Sequence, residues 1–225
     1  MYSVVHWGGF VLKFSMVNVA STEPVTPTGN DPQEEYLSVG GLLLEMVKVI
    51  LLAVVIIIPI RVFLFQPFFV QGASMDPNFE DGQYLIISEF GYKHTEIPGV
   101  GTVEQFRDLD RQDVVVFRYP KNPEQYYIKR VIALPGESVA IKDGIVYIFN
   151  EVHHQGYALD ESTYLAKNVK TSDMTKITLD EDEYFVMGDN RAFSYDSRAF
   201  GPIHRKDLIG RVLLRAWPVS RASLY

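Results

Sequence analysis

The sequence predicts a mainly β protein, in which one N-terminal transmembrane helix precedes an all-β domain that carries a small insertion. Three observations lead to this prediction. A continuous apolar segment occupies residues 42–65, short runs rich in β-branched and aromatic residues follow it, and Gly, Pro and Asp turns separate those runs. Many short strands with almost no helical periodicity indicate folded or barrel-like sheets.

The composition limits what the chain can bind. Its 225 residues accommodate one membrane anchor and one globular domain. The formal net charge is -7 and no run of Lys or Arg is present, so we expect no nucleic-acid partner. The chain has no cysteine, which excludes disulfides, cysteine-ligated zinc and thiol catalysis. Its five histidines lack metal-ligand spacing, and we expect neither a metal nor a cofactor.

Residues 1–41 are expected to form a disordered cytoplasmic tail. The segment 21–35 is rich in Pro, Thr and acidic residues and cannot bury enough apolar surface to order itself. Residues 1–20 match a signal peptide poorly, since Gly8-Gly9 and Lys13 interrupt the apolar residues. Met16 is an alternative start of the chain.

The segment 42–65 is the predicted transmembrane helix. Its 24 residues exceed the roughly 20 that cross about 30 Å of hydrocarbon. Glu45, Lys48 and Arg61 lie near its ends, where they can pair or reach the headgroups, and residues 49–60 are wholly apolar. The alternative is a buried core helix, which is rarely apolar on all sides over such a length in a domain of this size. The few flanking charges barely indicate an orientation.

The predicted β domain occupies residues 66–225. Its strands are predicted at residues 68–70, 84–88, 114–119, 126–133, 138–142, 145–149, 184–187 and 208–216. The region from residue 149 to residue 182 is more polar and irregular, and it indicates a cap insertion at about 143–182.

Ser74 is the candidate nucleophile. It lies between Gly72-Ala73 and a Met-X-Pro turn, shortly after the apolar segment. A lone match of this kind is usually only a turn. Serine also needs a base to take its proton, and none of the histidines lies near a plausible catalytic motif.

Lys129 is the candidate base. Strand alternation places it on the same face as Tyr127 and Val131, opposite Ile128 and Arg130. Partial desolvation there would lower its pKa, and action near neutral pH needs a decrease of roughly 2 to 3 units from about 10.4. The alternative is a solvated strand lysine.

A third stretch, residues 188–198, is dense in hydroxyl groups and paired charges. A Gly-Asp-Asn sequence alone is a turn, and Asp196 with Arg198 alone is most often a surface ion pair. Such density in eleven residues is what the orientation of a buried amine requires.

Together these stretches resemble the type I signal peptidases, the membrane-bound Ser-Lys serine proteases of peptidase family S26. The likeness covers the anchor and most of residues 66–218, with its motifs at residues 72–77, 113–117, 127–131 and 188–198 in order. The resemblance implies that Ser74 is the nucleophile, Lys129 the general base and Ser194 the group that orients the lysine amine. It also implies structural charge pairs among Asp189, Asp196, Arg198 and Arg130.

The resemblance further implies a substrate pocket that includes Met75, Val70 and Tyr127, and a strand before Ser74 that pairs with extended substrate. Some members of the family have a serine where this chain has Gly72. The oxyanion would then rest on the backbone here, mainly on the Ser74 N–H, and one donor can matter by about 3 kcal/mol. The family's Asp-Asn after Gly-Asp-Asn-Arg is replaced by Ala192-Phe193.

The implied reaction is peptide hydrolysis through an acyl-enzyme at a membrane surface. Expected substrates are secreted preproteins with small residues at positions -1 and -3 of the cleavage site. The expected location is the plasma membrane, with a single pass, a monomeric chain and the catalytic domain on the extracytoplasmic side. Two alternatives stay open: a self-cleaving Ser-Lys protease of the LexA type, and a non-catalytic, membrane-anchored β domain that binds a partner.

Overall fold

The computed structural model describes residues 39–59, 65–93, 95–97 and 101–225. Most of the predicted tail, residues 1–38, lies outside these ranges, as do residues 60–64 of the predicted membrane segment. The described residues form an apolar helix and a β domain.

Helix α1 spans Val39–Pro59, which corresponds to a length of about 31 Å. It begins three residues before the predicted segment, while Phe65, the predicted last residue of that segment, begins a strand. The stretch Val39–Ile57 is long and apolar enough to cross a membrane, and none of it is buried. Such an exposed apolar surface is unfavourable in water, and a lipid bilayer would cover it.

In the rest of the described chain the regular secondary structure is almost entirely β, which confirms the prediction of a mainly β fold. The described strands are β1 (Phe65–Phe69), β2 (Tyr84–Ser88), β3 (Thr95–Ile97), β4 (Gly101–Val103), β5 (Val114–Tyr119), β6 (Asn122–Ala133), β7 (Ser138–Lys142), β8 (Ile145–Phe149), β9 (Tyr157–Ala158), β10 (Met174–Thr178), β11 (Glu183–Met187), β12 (Ile203–His204), β13 (Leu208–Trp217) and β14 (Ser223–Leu224). A four-residue helix, α2 (Ser197–Phe200), follows β11.

The strands form a large sheet, a smaller sheet and a hairpin. The large sheet has the order β1-β2-β13-β5-β6-β11-β12, with β14 added along β13, and the smaller sheet has the order β10-β7-β8-β9. Strands β3 and β4 pair with each other. The smaller sheet begins at Ser138, so the predicted insertion at 143–182 covers most of it.

Apolar side chains are buried on both faces of the large sheet. Along β5, Val114 and Val116 belong to one core cluster, while Val115 and Phe117 belong to another. This two-sided burial explains why β5 has a continuous apolar sequence instead of alternation. A third cluster, which includes Ile132 of β6, packs the end of that strand against the smaller sheet.

The pairing of β6 leaves part of one edge open. Strand β5 covers one edge, with Val115 opposite Lys129. On the other edge β11 pairs only from Arg130 onwards, through Met187, Val186 and Phe185. Among the described residues, no strand pairs with this edge of β6 before Arg130, which lies near the segment that connects β1 to Ser74.

Candidate active site

The structure brings Ser74 and Lys129 into direct contact. Lys129 Nζ donates a hydrogen bond to Ser74 Oγ at 2.8 Å and another to the main-chain oxygen of Ile128, also at 2.8 Å. Lys129 is only 4% exposed. The sequence does not predict the second bond, which fixes the direction of the amine from within its own strand.

Burial lowers the pKa of Lys129 from 10.5 to about 8, while the Asp196 and Asp189 carboxylates raise it. Desolvation disfavours the charged ammonium, and it outweighs the attraction of the two acids. With a pKa this close to neutrality, part of the amine is uncharged at pH 7 and can accept a proton.

The chain around Ser74 is held from the loop after β11. The Asn190 backbone N–H donates to the Ser74 main-chain oxygen at 3.1 Å. Its side-chain amide donates to the Ala73 oxygen at 2.9 Å. Gly188 lies so close that a Cβ atom there would collide with the Ser74 main-chain oxygen and the Ser194 hydroxyl. Neither Asn190 nor Gly188 was singled out from the sequence, although both lie within the third motif.

Arg130 and Asp189 form a buried ion pair beneath the dyad. Arg130 Nε and Nη2 donate to the two Asp189 carboxylate oxygens at 2.8 and 2.6 Å. The Asn78 side-chain amide donates to Asp189 Oδ2 at 2.8 Å. Since Arg130 follows Lys129 and Asn78 lies four residues after Ser74, this pair links the strand of the base to the turn of the nucleophile.

Asp196 and Arg198 form a second pair at the start of α2. Arg198 Nε and Nη2 each donate to an Asp196 carboxylate oxygen at 2.8 Å. The Gly188 backbone N–H donates to the same carboxylate at 3.0 Å. Although burial favours the neutral acid, the hydrogen bonds from Arg198 and Gly188 hold the pKa of Asp196 below its usual value. Asp196 therefore stays charged and fixes the ends of the loop.

The Ser194 hydroxyl oxygen is buried, and it has no hydrogen-bond partner of normal geometry among the described residues. It lies close enough to Asp196 to help lower the pKa of that carboxyl. No hydrogen bond joins it to Lys129 within the described chain. Its predicted role in orienting the amine stays a prediction.

The backbone around Gly72 is arranged differently from the predicted oxyanion site. Gly72 has φ +87°, and its N–H donates to Asp81 Oδ1 at 2.7 Å. That donor is therefore already occupied. The Ser74 N–H has no acceptor among the described residues, and an oxyanion that lies next to Ser74 could accept from it.

Ser74 and Lys129 lie in an open cleft of about 720 Å³. Residues 68–74 and 125–129 line it together with Leu85, Val116, Phe193 and Tyr195. Val70 and Tyr127 are thus in the cleft, as predicted. Met75 is not among its lining residues: its side chain is 1% exposed and packs in the core. Its predicted contact with substrate therefore has no support from this geometry.

Arg191 connects the loop after β11 to the segment between β9 and β10 of the smaller sheet. It binds the Glu161 carboxylate with both terminal nitrogens, and its Nη1 donates to Thr171 Oγ1 at 2.7 Å. Its Nε donates to the Gly188 main-chain oxygen at 3.1 Å.

The described residues contain no group of three or more His, Asp or Glu side chains that could hold a metal ion.

A serine hydroxyl beside a buried lysine amine is one of the recurring arrangements of serine peptidases, and the fold and site place this protein in that class. The family model described as "Signal peptidase, peptidase S26" matches residues 43–217. This chain therefore belongs to the peptidase S26 family of signal peptidases. It is a serine peptidase of the signal peptidase I type, and its apolar helix indicates a membrane-anchored protein.

Two relatives known by sequence agree with this assignment. A probable signal peptidase I-2 of Synechocystis sp. is 33% identical over 186 residues, which cover 80% of this chain and 76% of that protein. Signal peptidase IB of Staphylococcus aureus is 33% identical over 189 residues, covering 79% and 91%. A crystal structure of a signal peptidase I from Enterococcus faecalis is 33% identical and covers 47% of this chain and 97% of that chain, with a TM-score of 0.39.

Proposed function

We propose that Ser74 is the nucleophile and Lys129 the general base of this signal peptidase. The observation that carries the proposal is the 2.8 Å contact between Lys129 Nζ and Ser74 Oγ. Burial supports it, since the pKa of Lys129 is lowered to about 8. A base of this pKa is suited to accept a proton near neutral pH.

In the proposed reaction the neutral Lys129 amine takes the Ser74 proton as Oγ attacks the scissile carbonyl carbon. The resulting oxyanion accepts from the Ser74 N–H. The Lys129 ammonium then gives its proton to the leaving amine, the peptide bond breaks and an ester of Ser74 forms. Lys129 next takes a proton from water, which attacks the ester, and proton return to Oγ restores the free enzyme.

The proposal also specifies the substrate sequence and the side of the membrane. Substrates are preproteins with small residues at positions -1 and -3 of the cleavage site, cut by a monomeric enzyme whose β domain lies on the extracytoplasmic side. The membrane anchor supports this, because a signal peptide's apolar segment occupies the same bilayer. Confinement to one membrane raises the effective concentration of the cleavage site.

The test is cleavage of a preprotein with an Ala-X-Ala site by the full chain in detergent. We expect Ser74→Ala and Lys129→Met to lose at least about a thousandfold in kcat/KM. The matched controls are the exposed Ser220→Ala and Lys142→Met, which should keep wild-type activity. If Ser74→Ala cleaves as well as wild type, the dyad assignment is wrong and another residue must supply the nucleophile.

The side of the membrane needs a separate measurement. Protease added to intact spheroplasts should digest the β domain, whereas in inside-out vesicles the domain should be protected. Digestion only in the inside-out vesicles would overturn the extracytoplasmic placement without affecting the dyad.

A further inference from the structure

Two aromatic side chains of the loop after β11 stand at the cleft without a function in the proposed reaction. Phe193 is 79% exposed and Tyr195 is 49% exposed, and both line the cleft that contains Ser74 and Lys129. Two exposed aromatic side chains that line the same cleft form an apolar surface that a bound ligand could cover.

The position of Phe193 is fixed relative to the nucleophile. Its N–H donates to the Asn190 main-chain oxygen at 3.0 Å. Asn190 in turn binds the main-chain oxygens of Ser74 and Ala73. The side chain of Phe193 thus extends from a turn attached directly to the chain of Ser74.

Tyr195 is supported from behind by other rings. Its hydroxyl lies 3.4 Å from the Tyr119 hydroxyl, and its ring lies 5.6 Å from the ring of Phe200. The hydrogen bond with Tyr195 raises the pKa of Tyr119 to about 12, so the Tyr119 hydroxyl is neutral at pH 7. Among the described residues that line the cleft, Lys129 is the only Lys, Arg, His, Asp or Glu.

An extended substrate presents alternate side chains to opposite sides. If positions -1 and -3 face the floor of the cleft, positions -2 and +1 face the other way. We propose that Phe193 and Tyr195 form an apolar subsite that selects an uncharged apolar substrate side chain at position -2 or +1. This inference rests on the proposed function, since it uses the extended substrate at Ser74.

The test uses preproteins that keep alanine at -1 and -3 and carry Leu, Ala or Asp at -2 or at +1. With wild type, Leu should exceed Asp in kcat/KM by about tenfold or more at one of the two positions. Phe193→Ser should reduce this ratio to near one, mainly through KM for the Leu substrate, while Phe193→Leu should keep it. Phe106→Ala, at a 56% exposed phenylalanine outside the cleft, is the control and should keep the wild-type ratio.

Equal ratios in wild type and Phe193→Ser, or an equal loss on every substrate, would overturn the subsite. Each variant is first compared with wild type by thermal unfolding, and Tyr195→Ser gives a second, independent removal of the apolar surface. Failure of the dyad proposal is distinguishable, because Ser74→Ala would then retain cleavage. If only the subsite proposal is wrong, Ser74→Ala is still inactive, and Phe193→Ser has the same substrate preference as wild type.

Discussion

Lys129 is a residue whose chemistry depends on a balance between burial and two carboxylates. Burial lowers its pKa to about 8, and Asp196 and Asp189 oppose that decrease. The same burial that prepares a base also places a potential charge in the protein interior, which is unfavourable for folding. The pH dependence of activity and that of stability should therefore both reflect the protonation of Lys129.

The pH dependence of cleavage should report this lysine. Because the base must be neutral, kcat/KM should rise with pH below about 8 and level off above it. Asp196→Asn removes a carboxylate that raises the pKa of Lys129. In this variant the rise of kcat/KM should therefore occur at lower pH than in wild type. Asp143→Asn, at an exposed turn, is the control. The measurement is a pH profile of kcat/KM at a temperature where each variant is folded, and a limb that moves to higher pH would contradict the assignment.

Lys129→Met should be inactive but more stable than wild type at pH 7. Lowering the pKa of Lys129 from 10.5 to about 8 corresponds to about 3 kcal/mol against the protonated form. Between these pH values the unfolded chain binds more protons, so wild-type stability rises with pH across that window. The advantage of the variant, about 2 kcal/mol after the lost hydrogen bonds, should vanish towards pH 10.5. Thermal unfolding of both proteins in detergent at pH 7 and pH 10 measures it, and a variant that is less stable at both would contradict the argument.

Gly188→Ala should reduce kcat strongly. A Cβ at this position collides with the Ser74 main-chain oxygen and the Ser194 hydroxyl, so the backbone that carries the nucleophile and the loop after β11 must shift relative to each other. A displacement of about 1 Å can cost roughly a hundredfold in rate. Gly82→Ala is the control: its Cβ meets no atom within 4 Å, and only the positive φ is unfavourable. Comparable kcat values for the two variants, measured with one preprotein, would refute the close-contact explanation.

At the scale of elements, the site is assembled where β6, the turn after β1 and the loop after β11 meet. The Arg130–Asp189 pair joins all three, because Asn78 of the turn also binds Asp189. Its charges are nearly inaccessible, with side-chain exposures of 10% and 0%. A buried pair of this kind costs much to break, although it contributes less than its short distances suggest.

Breaking the Arg130–Asp189 pair from one side should destabilise the β domain by about 3 to 5 kcal/mol, since the remaining charge is left buried and unpaired. The double variant Arg130→Met/Asp189→Leu should lose less than the sum of the two single variants. The control is Arg221→Met, at an exposed ion pair with Glu80, which should change stability little. A double-mutant cycle by thermal unfolding in detergent is the measurement, and strict additivity would contradict the coupling.

The sequence was most informative where elements are apolar and long enough to show a pattern. Strands β2, β5, β7 and β8 coincide with their predicted runs, because most of their β-branched residues are buried within the sheets. Strands β9, β12 and β14 have only two residues each, and their formation depends on a partner strand that local sequence does not reveal.

The site shows the same division. Ser74 and Lys129 could be selected because their residue types are chemically suited to the roles. Asn190 and Asp81 could not, since an asparagine or aspartate in a turn usually satisfies its own backbone. Their significance comes from partners distant in sequence, Asn190 with Ala73 and Asp81 with Gly72.

At the scale of the whole molecule, one apolar helix distinguishes the chain from a water-soluble β protein. Its side chains from Val39 to Ile57 are not buried within the protein. By the insertion scale, each Arg near a helix centre costs about 2.5 to 3.5 kcal/mol.

The double variant Leu51→Arg/Val55→Arg should therefore release much of the protein from membranes. The matched control, Leu51→Ala/Val55→Ala, keeps the helix uncharged and should stay membrane-bound. The measurement is the fraction that resists extraction at alkaline pH. Equal retention of the two variants would show that α1 is not what anchors the chain.

The main-chain oxygen of Ile128 accepts one hydrogen bond of the Lys129 amine. A substitution at position 128 changes a side chain but leaves that oxygen in place, as long as the strand forms. One of the two hydrogen bonds that orient the Lys129 amine therefore does not depend on any other side chain. It is kept as long as β5 and β6 pair. During evolution, side chains around the dyad can therefore be substituted while the Lys129 amine keeps this hydrogen bond.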